Sequence, residues 1–335
     1  MGTSENPAAR TTIDDVARAA GVSRQTVSNV VRGRGRLADG TRIRVLAVIE
    51  QLGYEPHTAA VSLRSGRTHR IAYPVPDTEL RPDNGIMLEF LQFLVAAARQ
   101  RGHQVLVTTC RPLDGIADLV RARSVDGFVL ASVAEDDPRI GYLAERQVPF
   151  ACFGRIDPPL PQHWVDIDNH AASHGITELV LASGHVDVAF VGYTPQGRWD
   201  LEREAGYRDA MCAAGLPARV VRTPIGTADA KATVAALLDA PDRPAAVVAG
   251  SDVLAAACYA AAARMGLRIG PDLAVTGFDG SLVSRLLAPA LTTVAMPLSD
   301  IAARLVDRVI RGIGGALDGH GEIVDTTLVR GESVP

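Results

Sequence analysis

Arg24, Gln25, Ser28, Asn29 and Arg32 recur at helical spacing on one face of a short stretch, with Val22, Val27, Val30 and Val31 on the other. Arginine pairs bidentately with guanine, and glutamine or asparagine with adenine, in the DNA major groove. Thr26, Ser28 and the start of the same stretch could hold phosphate oxygens. A second set of polar residues stands beside apolar runs: Arg155 after Phe150–Phe153, Ser251 and Asp252 after Ala245–Ala249, and Asp279 after Ala274–Phe278. Arg203, in Arg203-Glu204-Ala205-Gly206-Tyr207, stands near a helix start after Val188–Gly192. Arginines and carboxylates converging on a cleft suit vicinal hydroxyls, which accept from Arg and donate to Asp. Trp164 or Trp199 could stack on a sugar face. The competing reading makes Asp and Ser residues at strand ends ordinary helix caps.

The first set needs a rigid frame. Thr12 precedes Ile13, Val16, Ala17 and Ala20, the i, i+3, i+4, i+7 pattern of an amphipathic helix. Thr12 is a suitable N-cap, with Asp14 and Asp15 in the first turn, where the helix dipole favours negative charge. Gly21 supplies the tight turn, and Ser23 caps the next helix. Two short helices about such a turn predict a DNA-binding helix-turn-helix. A third helix is expected from Asp39 to Leu52, with Ile43, Leu46, Ala47, Ile49 and Leu52 closing a small core. Pro56 stops it by disfavouring helical geometry at Glu55. A short helix over His57–Arg64 and a flexible Ser65-Gly66-Arg67-Thr68 connection follow. Such a helix is marginal alone in water.

The second set needs strands. Apolar runs at Arg70–Val75, Gln104–Thr108, Gly127–Ala131, Phe150–Phe153, Val188–Gly192, Ala245–Ala249, Ala274–Phe278 and Leu291–Met296 alternate with helix-like segments. Those include Met87–Gln100, Ala171–Ala182, Ala205–Ala213, Ala230–Leu238 and Val253–Met265. The alternation predicts an α/β fold with parallel sheets, in two lobes because the segment is long for one. Ligands of open α/β sheets bind beyond the carboxyl ends of strands. The expected division is a helix-turn-helix head over 11–56, a hinge helix and linker over 57–68, and a two-lobed ligand-binding and dimerisation body over 69–335.

Charge follows the same division. The chain of 335 residues carries 34 basic and 38 acidic side chains, a net charge of −4. Residues 1–70 hold eleven arginines against six acids, and the remainder 23 basic against 32 acidic groups. A cationic head on an anionic body suggests a polyanion partner for the head alone. Apolar residues make up 47%, too many for long disorder, and no uninterrupted apolar run reaches membrane-spanning length. Met1–Arg10 has no apolar core, so no secretory signal is expected and a cytoplasmic setting is. Four scattered cysteines, Cys110, Cys152, Cys212 and Cys258, lack the spacing of a zinc or redox site. Dinucleotide, P-loop, nucleophile-elbow and zinc-protease signatures are missing. His170 and His174, four apart on an expected helix, are read as satisfied or exposed histidines, so neither a metal nor a cofactor is expected, and an enzyme or a secreted binding protein is the poorer reading.

Thr12-Ile13-Asp14-Asp15-Val16-Ala17-Arg18-Ala19-Ala20-Gly21-Val22-Ser23, Gln25-Thr26-Val27-Ser28, Gly53-Tyr54-x-Pro56 and Leu63-Arg64-Ser65-Gly66-Arg67-Thr68 resemble the head of the lactose/galactose-repressor (LacI/GalR) family. In the body the likeness continues at Val125-Asp126-Gly127, Val165-Asp166-Ile167-Asp168-Asn169, Arg203-x-x-Gly206-Tyr207, Ser251-Asp252, Gly277-Phe278-Asp279 and Leu291-Thr292-Thr293-Val294. The resemblance implies a homodimeric transcriptional regulator, a repressor of sugar utilisation, whose body resembles periplasmic sugar-binding proteins. A non-sugar effector such as a nucleobase, or an activator role, stays open.

It implies operator contacts from Thr12, Ser23, Arg24, Gln25, Thr26, Ser28, Asn29, Arg32, Tyr54, His57, Ala60 and Leu63. Arg24, Gln25 and Asn29 fall at base-reading positions, and Leu63 at the wedge between central base pairs. Effector closure would melt paired hinge helices at Ala59–Arg64. Around the effector it implies Asn84, Met87, Arg155, Trp164, Arg203, Ser251 and Asp279, with Arg203 and Asp279 grasping the ligand and Asp252 a helix cap. The chain departs from the pattern at Asn29, where some members have arginine, at Gly154, often Asp, and at Ala38, usually Ser. Asp39 is expected to take over that cap.

Overall fold

The computed structural model describes residues 11–31, 37–54, 66–76, 81, 84–110, 113–134, 136–155, 164–195, 197–316 and 321–335. It divides into two compact units, Met1–Thr68 and His69–Pro335. Arg32, His57, Ala60, Leu63 and the segment Ala59–Arg64, to which DNA contacts or a hinge were assigned, lie outside the described residues.

Helices α1 (Ile13–Ala20), α2 (Arg24–Val31) and α3 (Asp39–Gln51) build the first unit. A capping box starts α1: Thr12 accepts from the Asp15 amide, and the Asp15 carboxylate accepts from the Thr12 amide at 3.0 Å. Gly21, at φ 64°, ends it in the left-handed region that a side chain would resist. Ser23 Oγ accepts from the Thr26 amide at 3.1 Å and so caps α2. The three helices meet at Val16, Ala17, Ala20, Val27, Val30 and Val45, all buried.

Three expectations for this unit need correction. Val31 is exposed, and Ser28, placed with the exposed polar face, is buried beside Val27. On α3, Val45, Val48 and Ile49 face the core, because they share one side of the helical wheel, whereas Ile43 (68% exposed) and Leu46 project away from it. Leu52, past the last turn, is also exposed. Asp39 does not take over the missing serine's cap: it occupies the first helical turn, and Ala38 at the N-cap makes no side-chain hydrogen bond.

In the second unit two sheets of six strands each are flanked by helices. The first is ordered β11-β5-β4-β3-β1-β2, from β1 (Arg70–Pro76), β2 (Gln104–Cys110), β3 (Gly127–Leu130), β4 (Phe150–Phe153), β5 (Trp164–Ile167) and β11 (Glu322–Val324). The second is ordered β12-β10-β9-β8-β6-β7, from β6 (Val188–Tyr193), β7 (Arg219–Thr223), β8 (Ala246–Ala249), β9 (Ala274–Asp279), β10 (Thr292–Ala295) and β12 (Thr327–Val329). Strand pairs are parallel except β10–β12. Fully apolar runs such as Gly127–Leu130 and Ala246–Ala249 are buried throughout, as parallel sheets covered on both faces require.

Helices α4 (Gly85–Gln100), α5 (Asp114–Arg121), α6 (Pro138–Glu145) and α12 (Leu298–Ile313) belong with the first sheet. Helices α7 (Asn169–Ala182), α8 (Arg198–Ala213), α9 (Thr227–Asp239), α10 (Asp252–Met265) and α11 (Leu282–Leu286) belong with the second. The chain passes between the lobes three times: from β5 to α7, from β10 to α12, and from β11 to β12. Among the described residues no helix is long and apolar enough to cross a membrane.

Candidate functional site

A cleft between the two lobes of the second unit collects the carboxyl ends of strands from both sheets, the position favoured for ligands in such folds. It holds about 1290 Å³ of space, its open mouth included. Tyr73, Met87, Phe90 and Phe153 make an apolar wall on the first lobe, with Phe90 5.4 Å from the Phe153 ring. On the second lobe Tyr193, Trp199, Arg203, Ser251 and Asp279 supply aromatic and polar surface.

Arg203 is the best fixed of these. It projects from α8, donating from Nε to Asn169 Oδ1 at 2.9 Å and from Nη1 to the Gly250 carbonyl at 2.8 Å. Its guanidinium lies 3.6 Å from the centre of the Phe278 ring and 5.0 Å from that of Trp199, two cation–π contacts. The Asp279 carboxylate is 3.4 Å from Arg203 Nη1, at the edge of hydrogen-bond reach. Burial pushes the Asp279 pKa up to about 7, Arg203 pulling it down and Asp252 adding to the rise. Asp279 also holds φ at 114°, a strained backbone for a residue with a side chain. A buried, strained acid facing a fully oriented arginine is poised to exchange hydrogen bonds with neighbouring hydroxyls.

Near the mouth, Arg155 from the first lobe donates to Glu202 Oε1 on α8 of the second at 2.8 Å. Arg198 Nε donates to the same oxygen at 2.6 Å. Asp166, at the end of β5, is 3.6 Å from Arg155, and burial raises its pKa to about 6. Arg81 adds a second tie between the lobes, donating to the Ile225 carbonyl at 3.2 Å. These contacts hold the lobes together by side chains of this chain alone.

Of the residues named from the sequence, Asn84, Met87, Arg155, Arg203, Ser251 and Asp279 line the cleft. Two of them also serve the backbone. Asn84 Oδ1 caps α4 through the Met87 amide, and Ser251 Oγ caps α10 through the Leu254 amide at 3.2 Å while meeting Tyr193 Oη at 3.0 Å. Trp164 is the exception. Its ring packs on Gly321, with Arg155 above it at 5.6 Å, and lies off the cleft wall; Trp199 is the tryptophan on that wall. Asp252 does not cap α10 either. It is wholly buried, accepting from the amide and hydroxyl of Ser281 at 2.7 and 2.9 Å and from Thr293 Oγ1 at 2.6 Å, and so ties the loop after Asp279 to β10. Tyr193, Phe153 and Arg198 line the cleft as well, outside the set that acids, Ser and Arg after strands point to. Tyr193 and Phe153 are the last residues of their strands, so the same rule extended to aromatic rings finds them.

In the first unit Arg24 and Gln25 are exposed on α2, while Thr26 and Asn29 are half-buried. Gln25 Nε2 donates to Asn29 Oδ1 at 3.1 Å, which aligns the two amides one turn apart. Thr12 and Ser23 are used as caps, with Ser23 Oγ 2.9 Å from Thr26 Oγ1. Tyr54 packs against the helical core. Among the described residues no cluster of His, Cys, Asp and Glu has the makings of a metal site.

Residues 12–57 match the family of bacterial regulatory proteins called the lacI family, and residues 177–334 match a periplasmic binding protein-like domain. The chain is 32% identical to the HTH-type transcriptional regulator DegA of Bacillus subtilis (strain 168), over 88% of this chain and 89% of the relative. It is also 32% identical to the HTH-type transcriptional regulator CelR of Thermobifida fusca, over 90% and 92%. A solved CelR–cellobiose complex superposes with a TM-score of 0.73 at 29% identity, covering 97% of this chain and all of that one. The lac repressor dimer bound to operator and the anti-inducer ONPF superposes at 0.85 with 22% identity, covering 98% and 100%, a likeness of fold.

Proposed function

Since the chain belongs to the lacI family of bacterial regulatory proteins and is a DNA-binding transcriptional regulator rather than an enzyme, we propose that it is a sugar-responsive repressor. Its effector is a saccharide held in the cleft between the two lobes. The observation that carries this reading is the pairing of Arg203 with Asp279 beneath Trp199. An oriented guanidinium and a weakly engaged carboxylate suit vicinal hydroxyls, and flanking rings suit the apolar face of a pyranose. The relative solved with cellobiose supports the same ligand class.

Arg24, Gln25 and Asn29 read base edges in the major groove, and Ser23 and Thr26 hold phosphate. Residues 57–68 connect the reading unit to the ligand-binding unit, and the protein works in the cytoplasm. A second copy docks on the apolar strip formed by Leu88 and Val95 of α4 with Leu282 and Leu286 of α11. All four are exposed, and a 3.1 Å ion pair between Arg285 and Glu89 joins the two helices. The effector shifts operator affinity only by favouring one lobe arrangement over the other; equal affinity for both would shift nothing.

The test is a thermal-shift screen of the full chain against mono- and disaccharides, followed by operator binding with each hit. A ligand specific to the native state at about 100 times its Kd adds roughly 2.7 kcal/mol of stability. Saccharide stabilisation together with altered operator affinity fits the proposal. Stabilisation by nucleobases alone overturns the sugar assignment.

A further inference from the structure

We propose that Asp14 is a specificity-determining residue that acts by holding Arg24 in the orientation that reads guanine. The inference rests on the assignment of Arg24 to base reading. Asp14 lies in the first turn of α1 and Arg24 opens α2, ten residues on, beyond the Gly21 turn. Asp14 Oδ1 stands 2.9 Å from Arg24 Nε. The neighbouring acid, Asp15, is committed elsewhere: it closes the capping box with Thr12 and pairs with Arg18 at 3.2 Å. Asp14 takes no part in that cap; apart from its charge in the first turn of α1, its partner is Arg24.

Stability does not account for the pair. Both side chains are largely exposed, 68% and 50%, and ion pairs in water contribute little to a fold. The chemistry of guanidinium recognition does. Arginine presents five N–H donors in a fixed planar fork. The Asp14 carboxylate meets the guanidinium on its Nε side as an ion pair and restrains where it swings, leaving the two terminal amino groups for a bidentate pair with guanine O6 and N7. An unrestrained arginine on the same helix swings to the nearest phosphate, which carries no sequence information. The carboxylate also stands against the negative DNA backbone and weakens binding to every sequence alike. Asp14 therefore trades affinity for discrimination, favouring the one base that can satisfy the held arginine and penalising the rest. The Gln25–Asn29 hydrogen bond aligns the amide readers one turn along, so the same face carries two pre-set recognition groups.

The test incubates the full chain, the D14A, D14N and R24A variants and the D14A/R24A double variant with duplexes carrying about 20 randomised base pairs, enough for two half-sites of one helical turn each. Bound molecules are sequenced, and binding to random duplex is titrated at two salt concentrations. The unaltered protein is expected to enrich a symmetric site with guanine favoured at one position per half. D14A and D14N should lower that guanine preference a few-fold at that position alone, as much as an exposed ion pair provides. Both should also tighten binding to random duplex a few-fold. The double variant should match R24A, because Asp14 acts through Arg24.

An unchanged guanine preference in folded D14A and D14N overturns the inference. So does a loss spread evenly over all positions, which marks a structural role, or a further change in preference when D14A is added to R24A. If R24A leaves every base preference intact, or the unaltered protein enriches no sequence, the assignment of the reading face fails first and this inference with it.

Discussion

Asp279 joins burial to backbone strain, and its titration gives a sharp expectation. Its folded pKa, about 7, lies above the ordinary carboxylate value because burial penalises the charge. A raised folded pKa leaves stability intact below the ordinary carboxylate value of 3.8, and stability is lost progressively as pH rises from there through about 7. D279N, which stays neutral, should therefore raise the thermal midpoint relative to the unaltered protein by several degrees at pH 8 and by little at about pH 4. A ligand hydroxyl donating to the carboxylate favours the ionised form, so effector binding should release protons near neutrality and weaken as pH falls from 8 to 6. Calorimetry in buffers of different ionisation enthalpy reads both, and pH-independent affinity would remove Asp279 from the ligand. In the reading head, replacing Gln25 by Ala should cost about 1–3 kcal/mol at one operator position and relax specificity there, seen as a single flattened column in the selected sites. Residues of this kind were legible in the sequence because they follow strands or open helices. Trp164 was not, since its neighbour on the ring face, Gly321, is remote in the chain.

Helices and strands differed in how plainly the sequence announced them. The capping box of α1 is written in Thr12 and Asp15, whose pKa is lowered chiefly by the hydrogen bond from Thr12, and the Gly21 turn is equally local. The core face of α3 was harder, because apolar residues occur on both sides of that helix and only packing against α1 and α2 selects Val45 over Ile43. Strands β5, β7, β11 and β12 carry no apolar-run signal: they are short, hold charged or polar residues, and β7, β11 and β12 sit at sheet edges where an apolar run is unnecessary. The close packing of α7 on α8 rests on one residue. A Cβ on Gly206 would collide with the His170 backbone and stand 2.9 Å from the His174 amide nitrogen, so α7 and α8 must part to admit it. G206A should destabilise the protein by about 1–3 kcal/mol, measured by denaturant unfolding. Removing the carboxylate of Glu202 acts on the lobes instead. E202A leaves Arg155 and Arg198 without their shared acceptor, and effector affinity should fall about tenfold, a coupling of typical size between lobe closure and binding. Unchanged affinity in that variant would mean the ties at the mouth do not contribute to closure.

The molecule combines a small helical reader with a larger body whose every lobe needs chain from distant parts of the sequence. Alternating strands and helices made two parallel sheets legible, and matching landmarks made the family so. The strand assignments to each sheet required the structure, since β11 joins the first sheet and β12, three residues later, the second. Ser333 then locks the closing segment, accepting from the Thr292 amide at 2.8 Å and donating to the Val275 carbonyl at 2.6 Å.

That late stitching bears on how the protein is made. The three-helix reader, whose core runs from Ile13 to Tyr54, emerges from the ribosome early, whereas each body sheet lacks one of its two edge strands until residues 322–329 emerge. Nascent chains stalled before that point should present a protease-resistant reader attached to a body that is still readily digested, and ending the chain before residue 322 should leave both sheets one strand short.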